Sequence, residues 1–503
     1  MTDAKLKIGW AQADITPEEP VAVAGQFHAR VSEGVLDPIT ATVLVLESGD
    51  AQAVLISCDL VAIGDELWQS VAARCDGPDP SAIVMNATHT HTAPEIRPRS
   101  SMSGTTAEPF GVALQVMPVE DYLEYAAERI AAAVNEAWAS RADGSVAFGL
   151  GQAVVGRNRR WVDIHGTSTM YGNTNTPDFS HIEGYEDHSV NVLATYDASR
   201  GLTGVIVNIP CTSQETEGLF ELSADFWHDT RVELRSRLGE GLFVLPQASA
   251  AGDQSPHLLF GKREHERMLE LKGRTSREEI GNRIADAVEE TLSVIGGTQD
   301  DAPLLQHETI EMRLPLRALT EDDVVWAETE AEPWHEKYAA EKAKLEANPE
   351  LREEPRWYVP VTMAYRRMMW YKRVRDRFEQ QQTDPYRDVS LHIIRLGDIA
   401  IATNPFEYYM DFGVYIKART PAVQTFLVQL AGPGTYVPSA RSVVGGGYGS
   451  VPSSTPIGPD GGREVAEKTV ETLLRVWTEE APADGEEAGA NNDWLEQAGR
   501  PKS

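Results

Sequence analysis

Two histidines, His89 and His91, stand at the end of a short apolar segment and are the first sign of chemistry in the sequence. The segment 81–91 reads SAIVMNATHTH, and its apolar and β-branched residues predict a strand. Since alternate residues of a strand point to the same face, we expect the two imidazoles to lie side by side. Imidazole nitrogens are common zinc ligands, so the pair is a candidate metal or catalytic site. The alternative is a structural role for two polar residues at a strand terminus.

A serine lies in a glycine-containing turn after another apolar segment. The segment GLFVLPQASA at 241–250 predicts a strand, and AGDQSPH follows at 251–257. Such a turn can present the Ser255 hydroxyl to a cleft, where it could act as a nucleophile. Ordinary turns contain the same residue types, so this motif alone leaves both interpretations open.

A carboxylate and a glycine-rich stretch complete the candidate chemistry. The segment 389–407 predicts a β-hairpin that ends in NPFE, and Glu407 could bind a metal or act as a general base. It could also be an acid favoured by the dipole at a helix N-terminus. Further on, GPGTYVP at 432–438 and GGGY at 445–448 would let backbone approach a ligand closely. No Lys-Ser or Lys-Thr follows, which argues against a phosphate-binding loop.

The bulk properties restrict the class of protein that could carry these groups. The chain has 503 residues and a net charge of 45 − 77 = −32, so it repels phosphate backbones and nucleic acid is an unfavourable partner. Three cysteines, Cys58, Cys75 and Cys211, argue against a disulfide framework. The sequence has no 18-residue apolar run and no signal-peptide pattern at its start, which predicts a cytoplasmic protein without a membrane span.

The elements that must position these residues alternate between strands and helices. This order predicts an α/β fold with a layered mixed-sheet core and flanking helices. Helices are expected at 119–139, at 225–238, after a capping box of Ser276 and Glu279, and around Val465 to Trp477, whereas 151–200 reads as long loops. The charged residues at about 320–381 predict a helical insertion. We expect one catalytic domain over 1–478 and an acidic, disordered tail over 479–503.

Taken together and in order, these motifs resemble those of the neutral/alkaline, non-lysosomal ceramidase family. The matching segments run from about residue 8 to residue 477. They are IG at 8–9, ADITP at 13–17, LDP at 36–38, Asp59, THTHTAP at 88–94, NR at 158–159, GDQSP at 252–256, PFE at 405–407 and YVP at 436–438. Several motifs in the family's order are much more specific than any one of them.

The resemblance implies a zinc site and a set of roles. The family holds zinc with two His, one Glu and one Tyr, and the positions that match here are His89, Glu407 and Tyr436. His91 would face the substrate or the metal-bound water, and Ser255 stands at the family's catalytic serine. The substrate-binding positions are Arg159 and Tyr448, with Thr212 beside them.

This chain departs from the family at one ligand. The segment after the strand at 204–210 reads NIPCTSQ, and Thr212 occupies the position of the second histidine. Cys211 is adjacent, and its thiolate would be a good zinc ligand if the register shifted by one residue; its alternative role is that of a small core residue. The chain also lacks the C-terminal β-sandwich and secretion signal of larger members, which argues against ceramide itself as the substrate.

The resemblance therefore implies a metal-dependent hydrolase, with zinc as the expected metal, that cleaves an amide (N-acyl) bond in a small or lipid-like substrate. The attacking oxygen would come from Ser255 or from water, with His91 moving the proton. Two alternatives stay open. The same site could hydrolyse an ester, lactone or sugar-derived substrate, or the chain could be a non-catalytic ligand-binding protein that has lost its metal.

Overall fold

The computed structural model describes residues 4–97 and 110–478, and a mixed β-sheet is the largest feature of this part of the chain. Within it, eight strands lie in the spatial order Phe243–Ala248, Leu202–Ile209, Ser189–Asp197, Ala142–Gln152, Lys7–Asp14, Thr40–Ser48, Ala51–Cys58 and Ile83–Ala87. The pair at each edge of the sheet is parallel, and the inner pairs are antiparallel. Both edges therefore end in a strand whose carboxyl end leads into a loop: His89 and His91 follow Ile83–Ala87, and Ser255 follows Phe243–Ala248.

A second sheet packs face to face against the first. Its four strands within the described residues are Leu305–Pro315, Tyr386–Leu396, Ile399–Thr403 and Gln424–Val428, in that order. Residues from both sheets, such as Leu44 and Leu46 from the first and Ile394 and Phe426 from the second, share one buried apolar cluster. The interface between the two sheets is therefore the central core of the molecule.

Helices cover the outer face of each sheet. Successive side chains of a strand point to opposite faces of the sheet, so each face can be covered by a different layer. Val43 and Val45 face a cluster that contains helix residues, whereas Leu44 lies against the second sheet. The first sheet carries Asp65–Ala72, Val119–Ser140, Phe226–Leu238 and Ser276–Ile295, and the second carries Met410–Arg419 and Pro459–Thr478. The result is a four-layered α/β/β/α core, which confirms the predicted fold class.

The expectation of long loops over 151–200 is wrong. Ser189–Asp197 is a central strand of the first sheet, buried along almost its whole length. Shorter strands are Arg157–Asn158, Arg160–Asp163, Ser168–Met170 and Phe179–Ile182. The sequence SVNVLATYD alternates apolar and small polar residues, so the signal was present, but the surrounding Asn, Gly and Thr content outweighed it.

The predicted capping box is displaced by one residue. Thr275 is the N-cap, with an extended backbone, and exchanges hydrogen bonds with Glu278. Ser276 is already the first helical residue, and Glu279 forms ion pairs with Lys272 and Arg283 instead. The other helices that were predicted are present near the expected bounds.

Two long helices occupy the segment predicted to be a helical insertion. They are Glu321–Ala347 and Val359–Gln380, joined through the 3-10 turn Pro349–Glu353, and they pack against each other. We call Val359–Gln380 the insertion helix. The predicted tail over 479–503 lies outside the described residues. No helix in the described ranges is long and apolar enough to cross a membrane.

The remaining elements are short and lie in the loops between the main strands and helices. The two-residue strands are Ala22–Val23, Arg30–Val31, Gly34–Val35, Glu221–Leu222, Gln254–Ser255, Glu407–Tyr408 and Tyr436–Val437. The short helices are Pro80–Ala82, Lys262–Lys272 and Ala440–Gly445.

Candidate active site

A cavity of about 490 Å³ lies where the loops after several strands meet the insertion helix. His89, His91, Glu407, Tyr436 and Tyr448 line it, together with residues of the insertion helix. Its volume is in the range of pockets that enclose a small molecule. The fold therefore brings together side chains that are more than 300 positions apart in the sequence.

The backbone fixes Glu407 and Tyr436 as neighbours. They occupy equivalent positions in the short parallel pair Glu407–Tyr408 and Tyr436–Val437. Gly434 makes this pairing possible, since a Cβ at that position would lie 1.8 Å from the Pro405 carbonyl oxygen. Both side chains are almost fully enclosed, with Tyr436 at 6% exposure.

His89 and His91 lie on the loop that follows the strand Ile83–Ala87, not within the strand. Their proximity, with 3.2 Å between the two Nε2 atoms, therefore arises from the turn rather than from the pleat of a strand. His89 has a φ of +64°, a left-handed conformation that is uncommon for a residue with a side chain. Strained backbone of this kind is often found at functional sites, where the surrounding structure holds it in place.

The hydrogen bonds of each imidazole define its tautomer. His89 Nδ1 lies 2.6 Å from the Val61 carbonyl oxygen, and His91 Nδ1 lies 3.2 Å from a carboxylate oxygen of Glu217. Both partners can only accept, so Nδ1 carries the proton in each ring and each Nε2 keeps a lone pair; that of His91 accepts a hydrogen bond from Gln214 Nε2 at 2.9 Å. Burial lowers the pKa of His91 to about 4, although the hydrogen bond to Glu217 opposes this shift. His91 is therefore a neutral base at physiological pH.

A buried guanidinium organises the cluster from behind. Arg159 is fully buried, and one of its nitrogens, Nη2, lies 3.3 Å from Tyr436 Oη and 3.8 Å from Glu407 Oε2. The same side chain also donates to the Gly252 carbonyl at 2.8 Å and to Gln214 Oε1 at 2.9 Å. Burial alone would raise the pKa of Glu407, but the interaction with His89 and the charge of Arg159 lower it below its ordinary value. Glu407 is thus held as a carboxylate.

Thr212, at the position where the resemblance predicts the second histidine, is hydrogen-bonded to Gln214. The Thr212 hydroxyl donates to Gln214 Oε1 at 2.6 Å, and Arg159 donates to the same oxygen. The amide is therefore oriented with Nε2 toward His91 Nε2, 2.9 Å away. Cys211 does not point to this cluster: its side chain packs in the apolar core under the first sheet, and burial raises the pKa of its thiol well above its ordinary value. The structure places Cys211 among core residues, not among the candidate metal ligands.

The geometry can be compared with the needs of a metal ion. Across residues 4–97 and 110–478, no three His, Cys, Asp or Glu side chains form a group that could hold one. The set His89, Glu407 and Tyr436 contains two such side chains and a phenol. His89 Nε2 and Glu407 Oε2 are 3.4 Å apart, and this carboxylate oxygen is buried with no hydrogen-bond partner among the described residues. Two ligands of tetrahedral zinc are separated by about 3.3 Å, so the separation of His89 and Glu407 fits two ligands of such a cation, and Tyr436, paired with Glu407 through the backbone, could supply a third.

Ser255 lies behind the cavity rather than on its wall. It is fully buried in the short strand Gln254–Ser255, which pairs with Arg157–Asn158. Its Oγ is 3.3 Å from His257 Nδ1, and His257 Nε2 is 3.6 Å from Glu217, the same carboxylate that holds His91. Ser255 also hydrogen-bonds Tyr171, which receives a hydrogen bond from Arg159. The serine is therefore connected to the site through two chains of polar side chains.

The three predicted substrate-binding residues are divided between the wall and the layer beneath it. Tyr448 lines the cavity, and burial raises its pKa to about 12. Arg159 and Thr212 are fully buried and do not line it. They hold Tyr436 and Gln214 in place instead of facing a ligand.

Sequence reasoning missed several residues of the site. Glu217 and Tyr171 lie in loops without a recognisable motif, and His257 directly follows the GDQSP motif but was given no role; only the fold brings them to the histidines. The insertion helix contributes Arg366, Trp370, Arg373 and Arg377 to the cavity. Their spacing of four, three and four residues is a signal that the sequence carries, since such positions share one helix face.

Comparisons with known proteins agree with this architecture. No family model matches the sequence, and a search of curated proteins finds no match. Among solved structures, the neutral ceramidase from Pseudomonas aeruginosa is similar, with a TM-score of 0.66 and 18% identity, covering 94% of this chain and 75% of that chain. A ceramidase complexed with C2 is also similar, with a TM-score of 0.64 and 16% identity, covering 96% and 77%. The chain therefore has a neutral ceramidase-like fold, which confirms at the level of fold the resemblance carried by the sequence motifs.

Proposed function

We propose that the protein is a metal-dependent hydrolase that cleaves an amide bond in a small or lipid-like N-acyl substrate. One observation carries this proposal: His89, Glu407 and Tyr436 converge on a cavity large enough for a small molecule, in a chain with a ceramidase-like fold. The order of the sequence motifs, which resembles that of ceramidases, supports the choice of an amide bond.

The base in this proposal is His91. Its neutral Nε2 accepts from Gln214, so water must displace this amide before the ring can accept its proton, while Glu217 holds Nδ1–H and stabilises the imidazolium that forms. Water supplies the attacking oxygen: its hydroxide part adds to the acyl carbon, its proton passes to His91, and His91 then returns that proton to the departing amine as the C–N bond breaks. The products are a carboxylic acid and an amine.

Water is preferred to Ser255 as the nucleophile because of where the serine lies. The hydroxyl is fully buried and does not line the cavity. Its contacts with His257 and Tyr171 give it a positioning role, because Tyr171 in turn binds Arg159. Arg159 keeps Glu407 ionised and orients the Tyr436 hydroxyl from below.

The proposed metal would be held by His89, Glu407 and Tyr436. When bound, such a cation would supply a Lewis acid that polarises the scissile carbonyl. His89 is prepared for this role because the Val61 carbonyl fixes its Nδ1 proton and leaves Nε2 free to bind. Tyr448, on the wall of the cavity, would position the substrate.

Metal analysis combined with a substrate panel tests the proposal. We expect purified protein to contain close to one equivalent of a divalent metal, zinc being the first candidate, and to hydrolyse N-acyl substrates in a chelator-sensitive manner. Glu407→Gln should lose both metal and activity and remain folded. Glu266→Gln, which changes an exposed carboxylate, is the matched control. If only esters were hydrolysed, the cleaved bond would be an ester rather than the proposed amide. Tight binding of the substrates without turnover would contradict the proposal that the protein is a hydrolase.

A further inference from the structure

One face of the insertion helix lines the cavity with arginines. Arg366, Trp370, Arg373 and Arg377 lie at i, i+4, i+7 and i+11, which places them along a single stripe of an α-helix. All four side chains line the same cavity as His89 and Glu407. Arg97 lines it as well, from the loop that follows the histidines. The helix therefore forms one wall of this cavity.

The charge of this wall is opposite to that of the chain. Among the described residues that line the cavity, Arg97, Arg366, Arg373 and Arg377 are positive, and Asp376 and Glu407 are negative, which gives 4 − 2 = +2 with neutral histidines. Glu95, buried beneath them, reduces this sum to +1. The whole chain carries −32. A positive wall in so acidic a protein is a local feature that general composition does not explain.

The partners of Glu95 explain why it does not neutralise the wall. Arg97 binds this carboxylate through two nitrogens, with Nε at 2.8 Å, whereas the nearest nitrogen of Arg366 is 3.7 Å away. Burial alone would raise the pKa of Glu95, but the charges of Arg97 and Arg366 lower it to about 2. The single negative charge of Glu95 is thus already paired with Arg97.

Arg366 is left with an unmet hydrogen bond. Its Nη1 is buried, and no hydrogen-bond partner for it lies in the part of the chain that the structure describes. A buried donor without a partner costs stability unless a ligand supplies the acceptor. Burial, followed by the charge of Arg97, lowers the pKa of Arg366 to about 10, and burial with the charges of Arg317 and Arg373 does the same for Arg377. Burying these guanidinium groups close together therefore costs the folded protein free energy.

The opposite side of the same helix shows a different arrangement. Arg375, which does not line the cavity, forms an ion pair with Glu328 of the neighbouring helix at 2.5 Å. An acidic partner was therefore available nearby, in a helix that is rich in acids. The excess of positive charge is confined to the face that lines the cavity.

Aromatic side chains occupy the same cavity. Phe27, Trp370 and Tyr448 contact one another with ring centroids 5.5 to 5.9 Å apart, and Tyr448 also contacts Tyr436 at 5.5 Å. This aromatic group gives the cavity an apolar surface that extends from the candidate metal ligands to the insertion helix.

We infer that the substrate is an amphipathic N-acyl compound with an anionic group, which binds to Arg366, Arg373 and Arg377 while the apolar part lies against Phe27, Trp370 and Tyr448. A carboxylate, a sulfonate and a phosphate share the chemistry that guanidinium groups recognise. This inference rests on the proposed function for the bond that is cleaved, but the anion-binding wall itself can be tested separately.

Four synthetic amides with one acyl chain provide the test. N-dodecanoyl-glycine, N-dodecanoyl-taurine and N-dodecanoyl-phosphoethanolamine carry the three anions, and N-dodecanoyl-glycinamide is the neutral counterpart. We expect kcat/KM for at least one anionic compound to exceed that of the neutral one by about tenfold to a hundredfold, the range for charge-assisted hydrogen bonds. The anion that gives the largest ratio identifies the group.

Variants of the insertion helix locate the effect. Arg366→Gln should raise KM for the anionic compounds by about tenfold with kcat little changed, and should leave the neutral compound unaffected. Arg366→Lys should retain part of the effect because it keeps the charge. Arg377→Gln provides a second, independent variant if the first folds poorly. Arg375→Gln, on the outer side of the helix, is the matched control and should change nothing.

A binding measurement separates this inference from the proposed hydrolase. Calorimetry with N-dodecanoyl-glycine and N-dodecanoyl-glycinamide reports the anion preference whether or not either is cleaved. Suppose that no compound is hydrolysed, but that the anionic compound binds more tightly than the neutral one and loses this preference in Arg366→Gln. The proposed hydrolase function would then be wrong, and the anionic subsite would be supported. Equal binding of the two compounds, or equal loss of both in Arg366→Gln and Arg377→Gln, would overturn the anionic subsite.

Discussion

At the scale of single residues, the site depends on close backbone approaches as much as on its chemical groups. Gly25 has a φ of +98°, and a Cβ at this position would lie 2.4 Å from Cγ of His91. Gly252 is similar, because a Cβ there would lie 2.4 Å from the Glu407 carbonyl oxygen. Neither glycine carries a reactive group, yet each fixes the position of a residue that does.

Gly25→Ala should therefore reduce turnover by displacing His91. We expect kcat to fall by about a hundredfold, because a shift of about 1 Å in a reacting group has this effect. Gly241→Ala is the control, since a Cβ there meets no atom within 4 Å and its φ is not left-handed. Steady-state kinetics with circular dichroism as a check on folding would measure this. Unchanged kcat in folded Gly25→Ala protein would remove His91 from the proposed mechanism.

Ser255→Ala tests whether the serine attacks the substrate or only positions other groups. Because its hydroxyl is fully buried and contacts His257 and Tyr171, we expect kcat to fall by no more than about tenfold, whereas loss of a nucleophile would cost far more than a hundredfold. Mass spectrometry of enzyme quenched during turnover should detect no acyl-enzyme. Accumulation of an acylated Ser255 in the unaltered protein would reverse our assignment of the nucleophile to water.

At the scale of elements, the insertion connects the cavity to the rest of the fold, so its local stability bears on binding. Thr320 caps the first long helix and forms a capping box with Asp323. An N-cap of this kind stabilises a helix by about 1 kcal/mol, and Thr320→Ala removes it. Backbone amides in the first turn of the variant should therefore exchange hydrogen about fivefold faster. Thr329→Ala, an exposed change in the middle of the same helix, is the control and should not accelerate exchange.

The elements also show which parts of the fold could be predicted from sequence. The helix Val119–Ser140 and the strand pair that ends near Glu407 have strong periodic patterns and were predicted. The strand Ser189–Asp197 was not, because its short alternating pattern lies among Gly, Asn and Thr. The clustering of His89, Glu407 and Tyr436 followed from the ordered family motifs. The contacts of Glu217 and Gln214 did not, because they depend on how loops after different strands meet.

At the scale of the whole molecule, the net charge of −32 and two unfavourably buried carboxyls make stability depend on pH. Burial raises the pKa of Glu215 to about 7 and that of Asp253 to about 6. Between the ordinary pKa of each group and its raised value, the folded chain retains a proton that the unfolded chain has lost. Stability therefore falls as pH rises through this interval, and the full penalty is present above about pH 7.

Carboxyls with lowered pKa values limit stability at the acidic side. Glu95, with a pKa of about 2, contributes stability that is present above its ordinary value of 4.5 and is lost as pH falls. Self-repulsion among the acidic residues adds to the loss on the alkaline side, where more of them are ionised. These opposing effects place maximum stability near pH 5, at the acidic end of the range of about pH 5 to 8 in which most proteins are most stable.

Thermal unfolding at a series of pH values should reveal this dependence. We expect the melting temperature to be higher at pH 5.5 than at pH 8, and added salt to raise it most at pH 8, where it screens the repulsion. Glu215→Gln should raise the melting temperature at pH 8 and reduce its decline between pH 5 and pH 7, since the neutral amide cannot ionise. Glu266→Gln removes the same charge from an exposed position and should raise the melting temperature at pH 8 much less. If both variants gave the same gain, overall repulsion would account for the pH dependence and the burial of Glu215 would not.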